Sequence, residues 1–279
     1  MKRHKVYLCM LVLFFIIADT PNKVVTATVQ TSQVSSQINY TVNSNNKKEK
    51  STLLENDLLF NIKDKNNLQG ITFFNKYLYC GFDIGGGKGK IVKYNMAGER
   101  ISQTKPMMLG HCADLSYRTR TNKIYVANGG GNNLTRIYVV DYEKGEIQST
   151  LNYERLGTSA LLAIDNVHDY LILHTVLNHG DAGNPTFTII DLAKMKAINS
   201  FNVACKGVPQ GLETDGKYIY LYTNNKITVF NYQGAIIATY HVNKRGESEG
   251  ITIISDHGAT YLAVGYNSPN RFYKILIKS

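Results

Sequence analysis

Apolar residues in this chain alternate with polar ones over four to six positions and then stop at a turn. Tyr77-Leu78-Tyr79-Cys80, Lys123-Ile124-Tyr125-Val126 and Tyr218-Ile219-Tyr220-Leu221 are typical, and such period-two stretches, rich in Tyr and β-branched residues, predict short strands. Glycine-bearing connections such as Asp215-Gly216-Lys217 read as hairpin turns.

The stretches repeat. Five openings align as Leu68-Gln69-Gly70-Ile71-Thr72, Cys112-Ala113-Asp114-Leu115-Ser116, Ser159-Ala160-Leu161-Leu162-Ala163, Pro209-Gln210-Gly211-Leu212-Glu213 and Ser248-Glu249-Gly250-Ile251-Thr252. Each precedes a second, Tyr-rich strand, then a third, as in Lys90–Tyr94, Arg136–Asp141, Thr186–Asp191, Ile227–Asn231 and Phe272–Ile277. Units one to four add a fourth. Four strands per unit at a period of about 40 to 50 residues predicts an all-β, five-bladed β-propeller. The last unit ends at Ser279 after three strands, and the spare apolar segment Asp57–Ile62 is expected to supply its fourth, closing the ring with an N-terminal strand. A β-sandwich is the alternative, but it would not explain five openings in register.

Composition fits a globular body: 43% of the 279 residues are hydrophobic and 19% charged, with 19 Tyr and no Trp. At the N-terminus, Lys2, Arg3 and Lys5 precede the apolar run Val6–Ala18, and Val25-Thr26-Ala27 offers small residues for cleavage before Thr28. This predicts a secretory signal peptide over 1–27, with a membrane anchor as the alternative, a polar linker over 28–55, and the propeller over 56–279. No later run is long enough to span a bilayer. The formal charge is +10, or about +7 without residues 1–27, which would favour anionic polymers, acidic lipids or nucleic acid, or simply aid solubility. The basic residues are scattered and match no nucleic-acid motif, so specific nucleic-acid binding is not expected.

Three cysteines remain after cleavage, Cys80, Cys112 and Cys205, an odd number without metal-ligand spacing. Buried thiols are expected, with oxidation of one pair left open. His111 adjoins Cys112, but in a strand the two would face opposite ways, which argues against a thiol nucleophile. His174, His179 and Asp181 match no standard metal spacing.

In a propeller the first strand of each blade lines the central channel, so the openings are where chemistry is sought. Gln69, His111, Asp114, Gln210 and Glu249 are the candidate ligand-binding residues, with Glu213 and Glu247 nearby. Converging polar groups there would suit a sugar hydroxyl network, a water cluster or a channel metal ion, or merely fill a wet channel. If the chain is an enzyme, Asp114, Glu213 and Glu249 are the acids glycoside cleavage would use. The glycine-rich runs 84–90 and 128–133 lack phosphate-loop spacing and sit between strands, as turns or as a recognition rim.

The segment from Glu249 to Ser268, followed by Arg271–Leu276, resembles the C-terminal blade of the helveticin J family, and Gln210–Tyr220 resembles the blade before it. That family comprises large class III bacteriocins of Gram-positive bacteria, so the resemblance implies a secreted propeller with antibacterial activity. It supplies no catalytic residues. Together these readings lead to the expectation of a secreted, monomeric, non-enzymatic propeller without a cofactor. It would bind a bacterial cell-surface polymer or carbohydrate and be wall-associated in some settings. The competing expectation is an extracellular glycosidase or lyase.

Overall fold

A computed structural model describes residues 52–53, 56–177, 184–205, 207–242, 244–256 and 259–275. The strands are β1 (Thr52–Leu53), β2 (Asn56–Asn61), β3 (Asn67–Phe74), β4 (Tyr77–Asp83), β5 (Gly89–Asn95), β6 (Arg100–Gln103), β7 (Asp114–Arg118), β8 (Lys123–Ala127), β9 (Arg136–Asp141) and β10 (Glu146–Asn152). They continue as β11 (Thr158–Asp165), β12 (Tyr170–Val176), β13 (Thr186–Asp191), β14 (Lys196–Asn202), β15 (Gly211–Thr214), β16 (Ile219–Thr223), β17 (Lys226–Phe230), β18 (Ile236–His241), β19 (Glu247–Asp256), β20 (Ala259–Asn267) and β21 (Arg271–Ile275). They pair into five antiparallel sheets, β3–β6, β7–β10, β11–β14, β15–β18 and β19–β21 with β2, forming the blades of a five-bladed propeller.

The closure expected from the sequence is present: β2 lies antiparallel to β21, with Leu58 opposite Tyr273 and Phe60 opposite Phe272. A tilted ring contact reinforces it, the centroids of Phe60 and Phe272 lying 5.1 Å apart. One feature differs from expectation. Thr52 and Leu53, assigned to the linker, pair parallel with Tyr240 and His241, so the chain covers blade 4's outer edge before it enters blade 5.

Burial follows position in the blade. The second strand β12 is buried from Leu171 to Val176, whereas the fourth strand β6 is exposed throughout. Inner strands are sandwiched between neighbouring sheets, and outer edges meet water. Five apolar clusters accordingly fill the five gaps between blades; Tyr125, Leu151, Leu162 and Leu171 pack between blades 2 and 3, for example.

The inner edges of the first strands face the channel without a strand partner, so their N–H groups need other acceptors. The fifth position of the repeat supplies them. Tyr117 N–H donates to Thr72 Oγ1 (3.1 Å), Ile164 N–H to Ser116 Oγ (2.9 Å), Ile253 N–H to Glu213 Oε2 (3.3 Å) and Phe73 N–H to Thr252 Oγ1 (3.1 Å). Each bond joins one blade to the next. Blade 3 has Ala163 in this column and no acceptor to offer blade 4. Asp114 of blade 2 bridges that junction: its Oδ2 accepts Leu162 N–H (3.2 Å) from blade 3 and Leu212 N–H (2.9 Å) from blade 4, while Oδ1 takes Leu115 N–H (3.0 Å). In Asp114's own column, the third of the repeat, blade 1 needs a glycine, because a Cβ on Gly70 would lie 2.6 Å from Asp114 Cα.

Replacing Asp114 with Ala strands two inter-blade N–H groups in the core and should cost about 2–4 kcal/mol, whereas Asp114→Asn retains an acceptor and should cost less. Urea denaturation of both variants checks this order, and equal stability of Asp114→Ala and wild type would contradict the axial bridge.

Candidate functional site

At one end of the axis, on the face carrying the loops between second and third strands, the channel opens into a cavity of about 420 Å³. The second position of every repeat lines it: Gln69, Ala113, Ala160, Gln210 and Glu249. Two of these lie at β-bulges. The β3–β4 register shifts between Leu68 and Gly70, which makes Gln69 itself the extra residue, and the β19–β20 register shifts between Glu249 and Ile251, where the extra residue is Gly250 and Glu249 is its paired neighbour. Gly250 permits the second bulge at φ +72°, where a side chain would also press on Ile71 N–H at 2.8 Å.

The wall is divided. Blades 4, 5 and 1 contribute Gln210, Glu247, Glu249, Asn67 and Gln69, whereas blades 2 and 3 and the loop leading to blade 4 contribute Ala113, Ala160, Leu161, Val176, Val208 and Pro209, with His111, Ser159 and two glycines among them. Carboxyl and amide groups therefore face a mainly aliphatic surface across the axis. Among the described residues no Phe, Tyr, Trp, Lys or Arg lines the cavity.

Glu249 is 2% exposed, and no hydrogen bond reaches its carboxyl among the described residues. Burial, with the neighbouring Glu247 adding to it, pushes its pKa up to about 9, so the carboxyl is neutral at pH 7 and able to donate as well as accept. Gln69 donates one amide hydrogen to Leu68 O at 2.9 Å, and its Oε1 meets no protein donor. At the mouth, His111 Nδ1 sits 2.7 Å from Asp83 Oδ2, and Asp83 Oδ1 accepts Gly85 N–H at 2.7 Å, which fixes the imidazole against the first glycine-rich loop.

Of the residues singled out in the sequence, Gln69, His111, Gln210 and Glu249 converge on the cavity, and Glu247 joins them. Asp114 and Glu213 do not. Both sit below the cavity and are bound to backbone N–H groups and, for Glu213, to the Thr252 hydroxyl at 3.0 Å. Burial pushes Asp114 well above the usual carboxylate range and Glu213 up to about 7. The three acids thus do not form one catalytic group; two of them tie blades together.

His111 and Cys112 lie in a turn ahead of β7, not in a strand, with Cys112 at φ +57°. Cys80, Cys112 and Cys205 are buried free thiols, and burial raises the Cys112 thiol further from reactivity. His174 is 1% exposed, edge-on to Phe187, and burial lowers its pKa to about 4, which marks it as a neutral core residue; His179 and Asp181 lie outside the described residues. Among the described residues no three His, Cys, Asp or Glu side chains form a metal-binding group, and no helix is long and apolar enough to cross a membrane. Asp83, Asn67 and Ser159 escaped the sequence reading because nothing in the repeat register marks a loop residue or a strand end as facing the axis.

No protein-family model and no curated protein matches the chain in sequence. Solved structures resemble it in fold. A glutaminyl cyclase from Myxococcus xanthus is similar over 81% of this chain and 97% of its own, at 11% identity and a TM-score of 0.60. A tail fibre of a Staphylococcus aureus phage is similar over 80% of this chain and 52% of its own (17% identity, TM-score 0.54), and a gluconolactonase from Xanthomonas campestris over 81% and 90% (10% identity, TM-score 0.50). At such identities the likeness is one of fold, and it places enzymes and other proteins on the same scaffold.

A carboxyl held neutral in the fold binds its proton more tightly folded than unfolded. Its contribution to stability is therefore full below about pH 4.5 and is lost as pH rises towards about 9. Glu249→Gln should flatten that decline and stabilise the protein at pH 8 by on the order of 2 kcal/mol. Denaturation midpoints at pH 5 and pH 8 measure it; a variant that loses stability at both would contradict the placement of this side chain.

Proposed function

We propose that this chain is a secreted, non-enzymatic binding propeller whose axial cavity takes a hydrogen-bonding unit, a sugar residue or chain end, of a bacterial cell-surface polymer. The observation that carries the reading is the set of polar groups that have no protein partner among the described residues around one cavity: buried Glu249, the carbonyl of buried Gln69 and the half-buried Gln210 amide. Buried polar groups are ordinarily satisfied within the protein, and leaving several open at one point costs stability that a ligand would return. The aliphatic wall of Ala113, Ala160, Leu161 and Val176 would cover the carbon skeleton of that unit. The N-terminal charged-then-apolar segment supports export. The basic chain supports encounter with anionic surface polymers. The resemblance to the helveticin J family adds antibacterial action to what is proposed.

An extracellular glycan-cleaving enzyme is the second reading. Buried, neutral Glu249 and exposed Glu247 stand two positions apart on β19, an arrangement that separates an acid from a base. Asp114 and Glu213 have no part in it.

Binding of the purified protein to intact Gram-positive cells and isolated wall polymers, at low and high salt with viable counts alongside, tests the reading. Saturable binding should persist at high salt and weaken about tenfold or more in Gln69→Ala/Gln210→Ala. Binding abolished by salt and indifferent to these substitutions would reduce the interaction to surface charge, and hydrolysis of the polymer lost in Glu249→Gln would favour the enzyme.

A further inference from the structure

The cavity is opposite in charge to the chain that surrounds it. The sequence carries a net charge of +10, yet the ionisable side chains lining the cavity are Glu247, Glu249 and His111. Two carboxyls two residues apart on one strand would repel each other if both were ionised, and after burial that repulsion by Glu247 is part of what keeps Glu249 protonated. Among the described residues no Lys or Arg lines the wall to relieve that repulsion, and the one imidazole there, His111, is engaged by Asp83. An anionic ligand would worsen it, and a neutral one would leave it in place.

We propose that the axial cavity is a site for a primary ammonium group carried on a hydroxyl- or amide-bearing organic ligand, with Glu247 and Glu249 as counter-charges and the Gln69 and Gln210 carbonyls as flanking acceptors. The inference rests on the cavity-binding reading above and names the chemical class of the unit bound. An ammonium offers three donors and no acceptor, which is what a lining of carboxyl and amide oxygens requires. A volume of about 420 Å³ falls within the range of about 300–1,000 Å³ typical of organic-ligand sites and far exceeds a bare ion. The aliphatic side of the wall leaves room for the skeleton that bears the amine.

Entry of the cation changes the protonation of the site. The positive charge stabilises the Glu249 carboxylate, its proton passes to solvent, and the ligand keeps its own. Among the described residues the groups that face Glu249 are Glu247 on the same strand, Gln69 from blade 1, Gln210 ahead of β15, the Tyr222 phenol of β16 and, at the mouth, His111 held by Asp83; no Lys or Arg is among them. Proton release on binding is therefore a signature that simple shape complementarity would not produce.

The test is calorimetric titration of the full protein at pH 6 with a glucosamine tetramer and with its fully N-acetylated counterpart, which share a skeleton and differ in the charged amine. The amine form should bind at least about tenfold more tightly, with proton release seen as a dependence of the heat on the buffer's ionisation enthalpy. Glu247→Gln, at an exposed position, and the near-isosteric Glu249→Gln should each bring the ratio of the two affinities to about one and abolish the proton release, whatever either does to binding of the acetylated form. Equal binding of the two tetramers, or preference for the acetylated one, overturns the ammonium inference and leaves the cavity reading standing. Binding of neither overturns both. Calcium chloride titrated alone completes the experiment, since calcium that binds and excludes the amine tetramer would assign the carboxyls to a metal and overturn the proposal.

Discussion

The propeller depends on how its inner strands satisfy the backbone N–H groups that turn towards the channel. Side chains in one column of the repeat, Thr72, Ser116, Glu213 and Thr252, accept an N–H from the following blade, and together they pull the five sheets around a common axis. Where the column fails, at Ala163, Asp114 reaches from blade 2 to blades 3 and 4. A carboxyl in that place is costly to bury, and it is tolerated because it replaces two orphaned donors with two hydrogen bonds.

The cavity follows from this construction. With the axis tied at one level, the column three residues earlier is free of structural duty and its side chains open into space, Gln69, Gln210 and Glu249 on one side and Ala113 and Ala160 on the other. A bulge at Gln69 and another at Gly250, beside Glu249, bend the strands where those polar side chains meet the cavity. The same short segment of sequence thus separates into a level that holds the ring together and a level that meets a ligand. Glu249 belongs to the second because its carboxyl has no protein partner, in contrast to Asp114 and Glu213, whose carboxyls are consumed by backbone donors.

Much of this was legible in the sequence because the repeat itself encodes it. Five openings in register fixed the blade number, and the unmatched apolar segment before the first opening pointed to β2 as the closing strand. The same register brought out Gln69, Gln210 and Glu249 as a set. It failed to separate them from Asp114 and Glu213, since an acidic residue at a channel-facing opening looks the same in sequence whether its oxygens meet N–H groups of a neighbouring blade or an open cavity. Partners 48 and 98 residues away, as for Asp114 with Leu162 and Leu212, leave no local trace. The Asp83–His111 pair is hidden for a related reason: it joins the end of β4 to the turn before β7, 28 residues apart. The added edge strand at Thr52 and Leu53 is too short to show a period, and its register with Tyr240 and His241 is set by the path of the chain into blade 5.

The central claim is that the axial cavity is a ligand site. A crystal structure of the protein soaked with the glucosamine tetramer tests it most directly. The account predicts one sugar unit in the cavity, with its amine beside Glu249 and Glu247 and its ring carbons against Ala113, Ala160 and Leu161. A cavity holding only ordered water while the tetramer lies elsewhere on the propeller would contradict it.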